Sequence, residues 1–220
     1  MNRFRDFARK VSRNHTRTVW VLKCDIRKFF ANIDHAILKE ILRKRVMEDA
    51  TINLVGAVVD SFHTKGKPRV GLPLGNLTSQ LLVNIYMNEF DHFIKRELRV
   101  SYYIRYADDF VFLHEDRSYL EQLIPKISAY LEKRLRLELH PNKVFLTTFA
   151  SGVDFLGWVH FPHYRILRTA TKRRMFRNLD RAPKENSIAS YKGLLGHGNT
   201  YKLQEILSAR YPDLKQNAGD

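Results

Sequence analysis

Cysteine is almost absent from this chain of 220 residues: Cys24 stands alone. Neither an intrachain disulfide nor a four-cysteine zinc site can form, which fits a reducing compartment. Long apolar runs are missing as well. The stretch from Leu81 to Tyr86 has Asn84 inside it and falls far short of the roughly 20 residues that a membrane span needs. The N-terminus carries Arg3, Arg5, Asp6, Arg9 and Lys10 and has no apolar core for a secretory signal. There are no internal repeats and no low-complexity tracts, and a hydrophobic content of 44% excludes disorder and fibre. These absences lead to the expectation of a soluble, cytoplasmic protein of one large or two small domains.

Acid is also scarce. Lys and Arg number 38 against 23 Asp and Glu, for a formal net charge of +15, which points to a polyanionic partner. Residues 1 to 20 hold six Arg or Lys and one acid. Between Phe155 and Leu179 stand Arg165, Arg168, Lys172, Arg173, Arg174 and Arg177 with no acid at all. Phe155, Trp158, Phe161, Tyr164 and Phe176 lie among those charges, as expected where cations track a backbone and bases rest on rings. The ordinary alternative is a solvated basic face above core aromatics.

Apolar spacing gives the elements. Thr18 to Cys24 reads as a buried strand ending at Asp25, and Asp34 caps a helix through Ile37, Leu38, Ile41, Leu42 and Val46. A second helix runs through Ile52, Val55, Val59 and Phe62 and stops at a basic loop, His63 to Pro68. The Gly-rich segment Gly71-Leu-Pro-Leu-Gly-Asn76 opens onto a helix from Thr78 to Leu98. Val100 to Leu113 reads as two strands around Ala107-Asp108-Asp109, and Ser118 with Glu121 as the capping box of a further helix. Strands follow at Val144 to Thr147 and Val153 to Val159, then a hairpin at Pro162-His163. From Thr171 the chain reads as basic helices, and Gln216 to Asp220 should fray. This order predicts an α+β fold, an antiparallel sheet with helices on one face.

A strand ending in Asp25 and a hairpin tip holding Asp108 and Asp109 are the parts of a two-metal phosphoryl-transfer site. Two Mg²⁺ ions about 3.5 to 4 Å apart need carboxylates on rigid backbone. The plain reading of Asp-Asp is a good turn. The neighbours decide between them. Tyr106-Ala-Asp-Asp109 resembles the Tyr-x-Asp-Asp box of reverse transcriptases, and Asp25-Ile-Arg-Lys-Phe-Phe30 resembles their first catalytic segment. Gly71 to Gln80 resembles the loop and helix against the incoming nucleotide, Leu139-His-Pro-Asn-Lys143 the segment whose lysine nears the triphosphate, and Phe155-Leu-Gly157 the primer-grip turn. Ser190 to Leu203 is similar to the thumb of bacterial retroelement enzymes.

The resemblance implies a polymerase palm followed by a small helical thumb. Asp25, Asp108 and Asp109 would be the catalytic carboxylates and, with the Ile26 carbonyl, the ligands of two Mg²⁺, for which Mn²⁺ could substitute. Phe30 would be the steric gate that selects deoxynucleotides, its other role being core packing, the role expected of Phe29. Lys143 would stabilise charge or donate a proton to pyrophosphate. Leu74, Gly75, Ser79 and Gln80 would line the nucleotide; Phe155, Leu156, Gly157, Arg173, Arg174, Arg177 and Lys192 would meet nucleic acid.

The expected partners are an RNA template, a DNA primer and dNTPs. The expected division is 1–17 as a basic remnant of the fingers, 18–168 as palm, 169–212 as partial thumb and 213–220 as a frayed tail. Leu74 before Gly75 and Gln80 after Ser79 depart from the Gln-Gly and Ser-Pro of retroviral and intron-encoded enzymes. They are similar instead to the diversity-generating retroelement branch, which implies error-prone synthesis. Only 24 residues precede Asp25, so the fingers are expected to be mostly missing, their contacts supplied by an accessory protein or separate segment. The competing expectation is a truncated, non-catalytic relative that grips nucleic acid with the same fold. A palm-fold nucleotide cyclase would share the metal logic but would not need a basic, aromatic thumb.

Overall fold

The computed structural model describes residues 2–211, so the tail expected over 213–220 lies outside the described residues. In chain order the elements are α1 (Asn2–Val11), β1 (Trp20–Asp25), α2 (His35–Arg43), α3 (Asp49–Asp60), α4 (Leu77–His92), β2 (Tyr103–Tyr106), β3 (Asp109–His114), α5 (Arg117–Leu135), β4 (Phe145–Thr148), β5 (Val153–Phe155), β6 (Trp158–His160), β7 (Arg165–Leu167), α6 (Thr169–Arg181), α7 (Glu185–Leu195) and α8 (Tyr201–Arg210). They form two compact units, one of residues 19–147 and one joining 1–18 to 148–220. The segment expected as 18–168 crosses this division, because β5, β6 and β7 pair in a sheet of their own.

In the unit of residues 19–147 the strand order is β2-β3-β1-β4, with β3 antiparallel to both β2 and β1. Strand side chains alternate between faces. Leu22 and Cys24 of β1 and Phe110 and Phe112 of β3 are buried in one cluster with Tyr86 and Phe90 of α4 and Leu120, Leu123 and Ile127 of α5. Phe90 packs 5.2 Å from Phe110, and Tyr103 stacks 5.1 Å from Phe112. That burial directs the intervening residues, Lys23 and Asp25 on β1 and Asp109 and Val111 on β3, to the opposite face. The α+β arrangement with helices on one face of an antiparallel sheet is as the sequence predicts.

Two local readings change. Helix α5 is capped by Asp116, whose carboxylate accepts from the Ser118 amide at 2.8 Å, not by a Ser118–Glu121 box. Glu121 instead receives the Arg117 side chain one turn away at 2.8 Å. A full negative charge at the helix start serves its exposed N–H groups better than a hydroxyl does. Helix α4 ends at His92 and continues as a π-turn over Phe93–Glu97, which brings Phe93 into a stack with Tyr130 at 4.0 Å.

In the other unit the order is β5-β6-β7. The single strand expected from Val153 to Val159 is two, because Leu156 and Gly157, at φ +52° and +82°, reverse the chain between β5 and β6. Two successive left-handed residues make the tight hairpin whose twist matches its strands. The hairpin at Pro162-His163 is present, closed by Phe161 N donating to Tyr164 O at 2.9 Å. Residues 1–17 contribute α1, whose Phe4, Ala8 and Val11 are buried. The Phe4 ring lies 5.6 Å from Phe149 and 5.8 Å from Phe155. Helices α6, α7 and α8 close on Trp158 and Leu167 through Met175, Leu179, Ile188, Leu195 and Leu207.

The cap assignment is testable by urea unfolding. Asp116→Ala should cost about 1 kcal/mol and Ser118→Ala less than half of that; the reverse order would restore the Ser118 box.

Candidate active site

The carboxylates are placed by strand register. Asp25 ends β1 directly across from Asp109, which starts β3, and Tyr106 of β2 faces Asp109 from the other side. Ala107 and Asp108 form the connection, Ala107 at φ +53°. The Asp108 carbonyl is tied back to β1 by the Ile26 amide at 3.2 Å. A second clamp comes from the segment after α5. Arg27 N donates to Glu138 O at 2.9 Å and His140 N to Asp25 O at 2.8 Å, while Lys143 N turns back on His140 O at 3.0 Å. That turn delivers the Lys143 ammonium to both oxygens of Asp25, at 3.1 and 3.2 Å.

Like charges directly opposite on neighbouring strands destabilise a sheet, and here two lysines offset them. Besides Lys143 on Asp25, Lys23 Nζ stands 3.3 Å from Asp109 Oδ2. Burial pushes the Asp109 carboxyl from its ordinary 3.8 up to about 6, with Lys23 opposing and Asp25 and Asp108 adding to the rise. Burial likewise raises Asp108, and Asp25 adds to that. Asp109 Oδ1 is buried with no hydrogen-bond partner. Among the described residues no three His, Cys, Asp or Glu side chains already surround a common point. The donor set nevertheless fits a divalent cation: hard carboxylate oxygens, one of them unanswered, with mutual repulsion that an ion would relieve.

Lys23 is the residue that sequence reasoning missed. It sits two positions before Asp25 on a strand, and the two-residue period puts it on the carboxylate face. The Tyr106 ring is exposed beside the site.

The other expected residues divide by exposure. Phe29 is core, and Phe30 is half-buried against it at 5.4 Å. The Phe30 carbonyl accepts from Leu72 N at 2.8 Å, which fixes the Gly-rich loop to the end of the first catalytic segment. Beyond that anchor Leu74 is 78% exposed and Gly75 takes φ +93°. Gln80 is exposed on α4, whereas Ser79 is buried at 1% exposure and offers no side chain to a ligand.

Within the unit of residues 1–18 and 148–220, the Phe155 ring is 2% exposed, so it cannot meet nucleic acid. Alternation along β5 turns the ring inward and leaves the Leu156-Gly157 turn at the tip of the β5–β6 hairpin. Gly157 O accepts from Arg168 N at 3.0 Å, and the Arg168 side chain holds Asp154 at 2.8 Å. Arg173, Arg174 and Arg177 are exposed on α6, and Lys192 is half-exposed on α7. Arg173 and Arg177 line an open groove of about 620 Å³ with Lys172, Phe176, Arg181, Arg210 and Asp180, the last paired with Arg210 at 2.8 Å.

A tied-down acidic hairpin tip, a second acid at the adjoining strand end and an ammonium beside it are an arrangement that can bind divalent cations and, through them, phosphate groups. Comparison with known proteins agrees. The family model described as reverse transcriptase (RNA-dependent DNA polymerase) matches residues 2–160, and the chain belongs to that family of nucleotidyltransferases. Protein YkfC of Escherichia coli (strain K12) is 26% identical over 219 residues, covering 82% of this chain and 56% of that protein. The Retron Ec83 reverse transcriptase of Escherichia coli is 30% identical over 151 residues, covering 65% and 48%. The group II intron-encoded protein LtrA of Lactococcus lactis subsp. cremoris is 22% identical over 224 residues, covering 70% and 36%. The chain thus spans about half the length, or less, of these curated relatives. The solved apo telomerase of Candida tropicalis shares the fold, with a TM-score of 0.61 at 12% identity over 87% of this chain and 39% of that one. Among the described residues no helix is long and apolar enough to cross a membrane.

The raised Asp109 makes a pH prediction. A carboxyl whose folded pKa exceeds its unfolded value contributes stability that is full below the unfolded value, near 3.8, and lost as pH rises through about 6. Without metal, Asp109→Asn should therefore be more stable than wild type at pH 7.5, by about 2 to 3 kcal/mol. The gap should close by pH 4, and Mg²⁺ should narrow it at pH 7.5. Parallel pH-stability curves for the two proteins would contradict the burial of that charge.

Proposed function

We propose that this chain is the catalytic part of an RNA-directed DNA polymerase that extends a DNA primer on an RNA template from dNTPs. The observation that carries the reading is the Asp25–Asp109 register pair with Asp108 at the adjoining tip, on the sheet face turned from the helices. Asp25, Asp108 and Asp109, with the Ile26 carbonyl, would hold Mg²⁺ or Mn²⁺, which when bound neutralises triphosphate charge and activates a primer 3′-hydroxyl. Lys143 guards both oxygens of Asp25. Released from them, its ammonium can neutralise or protonate departing pyrophosphate. Phe30, half-buried and backed by Phe29, presents a rigid apolar ring to the sugar and excludes a 2′-hydroxyl by bulk. The exposed Arg173, Arg174 and Arg177, with Lys192, contact phosphates without reading sequence. The Leu156-Gly157 turn steadies the primer end. A cytoplasmic location fits the lone buried Cys24.

The finer assignment is to an error-prone enzyme of the diversity-generating retroelement kind. Leu74 supports it: the side chain is exposed rather than packed and offers only shape where a Gln would hydrogen-bond the nascent pair. Losing one such contact relaxes discrimination by about 1 to 1.5 kcal/mol, roughly tenfold.

Primer extension on poly(rA)/oligo(dT) with Mg²⁺ tests the main reading. Wild type should extend, Asp108→Ala should not, and Phe30→Ala should admit ribonucleotides while keeping deoxynucleotide use. Salt-sensitive binding to the hybrid without extension by wild type would instead make the chain a nucleic-acid-binding relative. Sequenced products test the finer one: Leu74→Gln should lower misincorporation roughly tenfold, and identical error spectra would remove the retroelement assignment.

A further inference from the structure

Behind the acidic turn, on the opposite face of the sheet, lies a guanidinium held by α4. Arg105 of β2 stands across from Phe110 of β3, so with Tyr103 it lies on the face covered by the helices, away from Asp25 and Asp109. Its side chain is 9% exposed. Two of its nitrogens grip one carboxylate of α4: Nε donates to Asp91 Oδ1 at 2.9 Å and Nη2 to Asp91 Oδ2 at 2.6 Å. Tyr103 Oη donates to the same Oδ1 at 2.8 Å. That grip occupies one edge of the planar fork and aims the third nitrogen the other way. Nη1 donates to the Ala107 carbonyl at 3.1 Å and to Asn84 Oδ1, also on α4, at 3.3 Å.

The Ala107 carbonyl shares one planar peptide unit with the Asp108 amide. Ala107 adopts φ +53°, a left-handed backbone that a residue with a Cβ keeps only where its surroundings hold it. The next peptide is held from β1, because the Asp108 carbonyl accepts from the Ile26 amide at 3.2 Å. The two peptides flanking Asp108 are therefore tied separately, one through Arg105 to α4 and one to β1. Helix α4 itself starts at Leu77, just after the Gly-rich loop whose Leu72 amide bonds the Phe30 carbonyl. One rigid helix thus runs from that loop to the groups that grip Arg105.

We infer that Arg105 is a positioning residue for the acidic turn: locked by Asp91 and Asn84, it holds the Ala107 carbonyl and so sets Asp108 and Asp109 relative to Asp25. A lysine keeps the charge beside Asp91 but lacks the fork that serves both sides. What the turn then does for a divalent cation rests on the proposed function; its fixing by Arg105 does not.

Hydrogen exchange of the whole metal-free chain, read amide by amide by NMR, tests the inference, since the Ile26 amide reports whether the turn stays closed on β1. Two variants are compared with wild type: Arg105→Lys, and Asp91→Leu combined with Arg105→Met, which leaves neither buried charge alone. In both, Ile26 should exchange about tenfold faster, while the protected amides of the β1–β3 ladder toward Trp20 and His114 keep their rates. Mn²⁺ binding to the complex with template-primer and dNTP should weaken, and primer extension should lose kcat with KM for the hybrid unchanged. Failure of wild type to bind Mn²⁺ would count against the proposed function, and the exchange rates would still decide the role of Arg105. Wild-type exchange at Ile26 in both variants, or exchange that quickens equally at Ile26 and along the ladder, would make Arg105 a packing ion pair and overturn the inference.

Discussion

Placing Asp25 directly across from Asp109, with Asp108 at the adjoining tip, sets like charges on neighbouring strand ends where a sheet tolerates them poorly. Much of the unit of residues 19–147 can be understood as what holds that arrangement in place. The aromatic and aliphatic core on one sheet face, from Leu22 and Phe110 to Phe90, fixes the register that aims the acids at the other. The Ile26–Asp108 backbone bond holds the two strand ends together, and the His140–Asp25 bond ties the end of β1 to the segment after α5. Lys23 and Lys143 supply the counter-charge. Two cations beside three acids leave one buried Asp109 oxygen unanswered, and it is there that a divalent ion would be drawn.

Basic and aromatic residues are distributed differently in the other unit. Of the five aromatics that the sequence interleaves with arginine, Phe155 and Trp158 are buried, Phe161 and Phe176 are half-buried and Tyr164 is exposed. The exposed cations gather on α6, where Arg173 and Arg177 share a groove with Phe176. The chain spans about half the length of its curated relatives or less.

The acidic tip was legible in sequence because it is local: an Asp pair between two β-forming runs, and an Asp at the end of a third. Helix α2 was legible because its Asp34 cap and its apolar period agree. Misreadings came where two local signals competed. Asp116 and Ser118 both suit a helix start, and only the backbone decides that the charged one sits at the cap. Val153 to Val159 looks like one strand by its apolar pattern, although the resemblance of Phe155-Leu-Gly157 to a turn already marked the place where Leu156 adopts φ +52°. Lys23 went unread because its meaning depends on a cross-strand partner 86 positions away, Asp109. Ser79 and Phe155 belong to motifs whose backbone carries the geometry while the side chains are buried.

The central claim is that the three aspartates act together on divalent cations. Mn²⁺ titration of the protein bound to an RNA–DNA template-primer and a dNTP, followed by loss of the free-ion EPR signal, tests it directly. Wild type should bind Mn²⁺ in competition with Mg²⁺, and Asp25→Asn, Asp108→Asn and Asp109→Asn should each weaken that binding. Mn²⁺ binding that is indifferent to all three substitutions, with the nucleic acid and dNTP still bound, would contradict it.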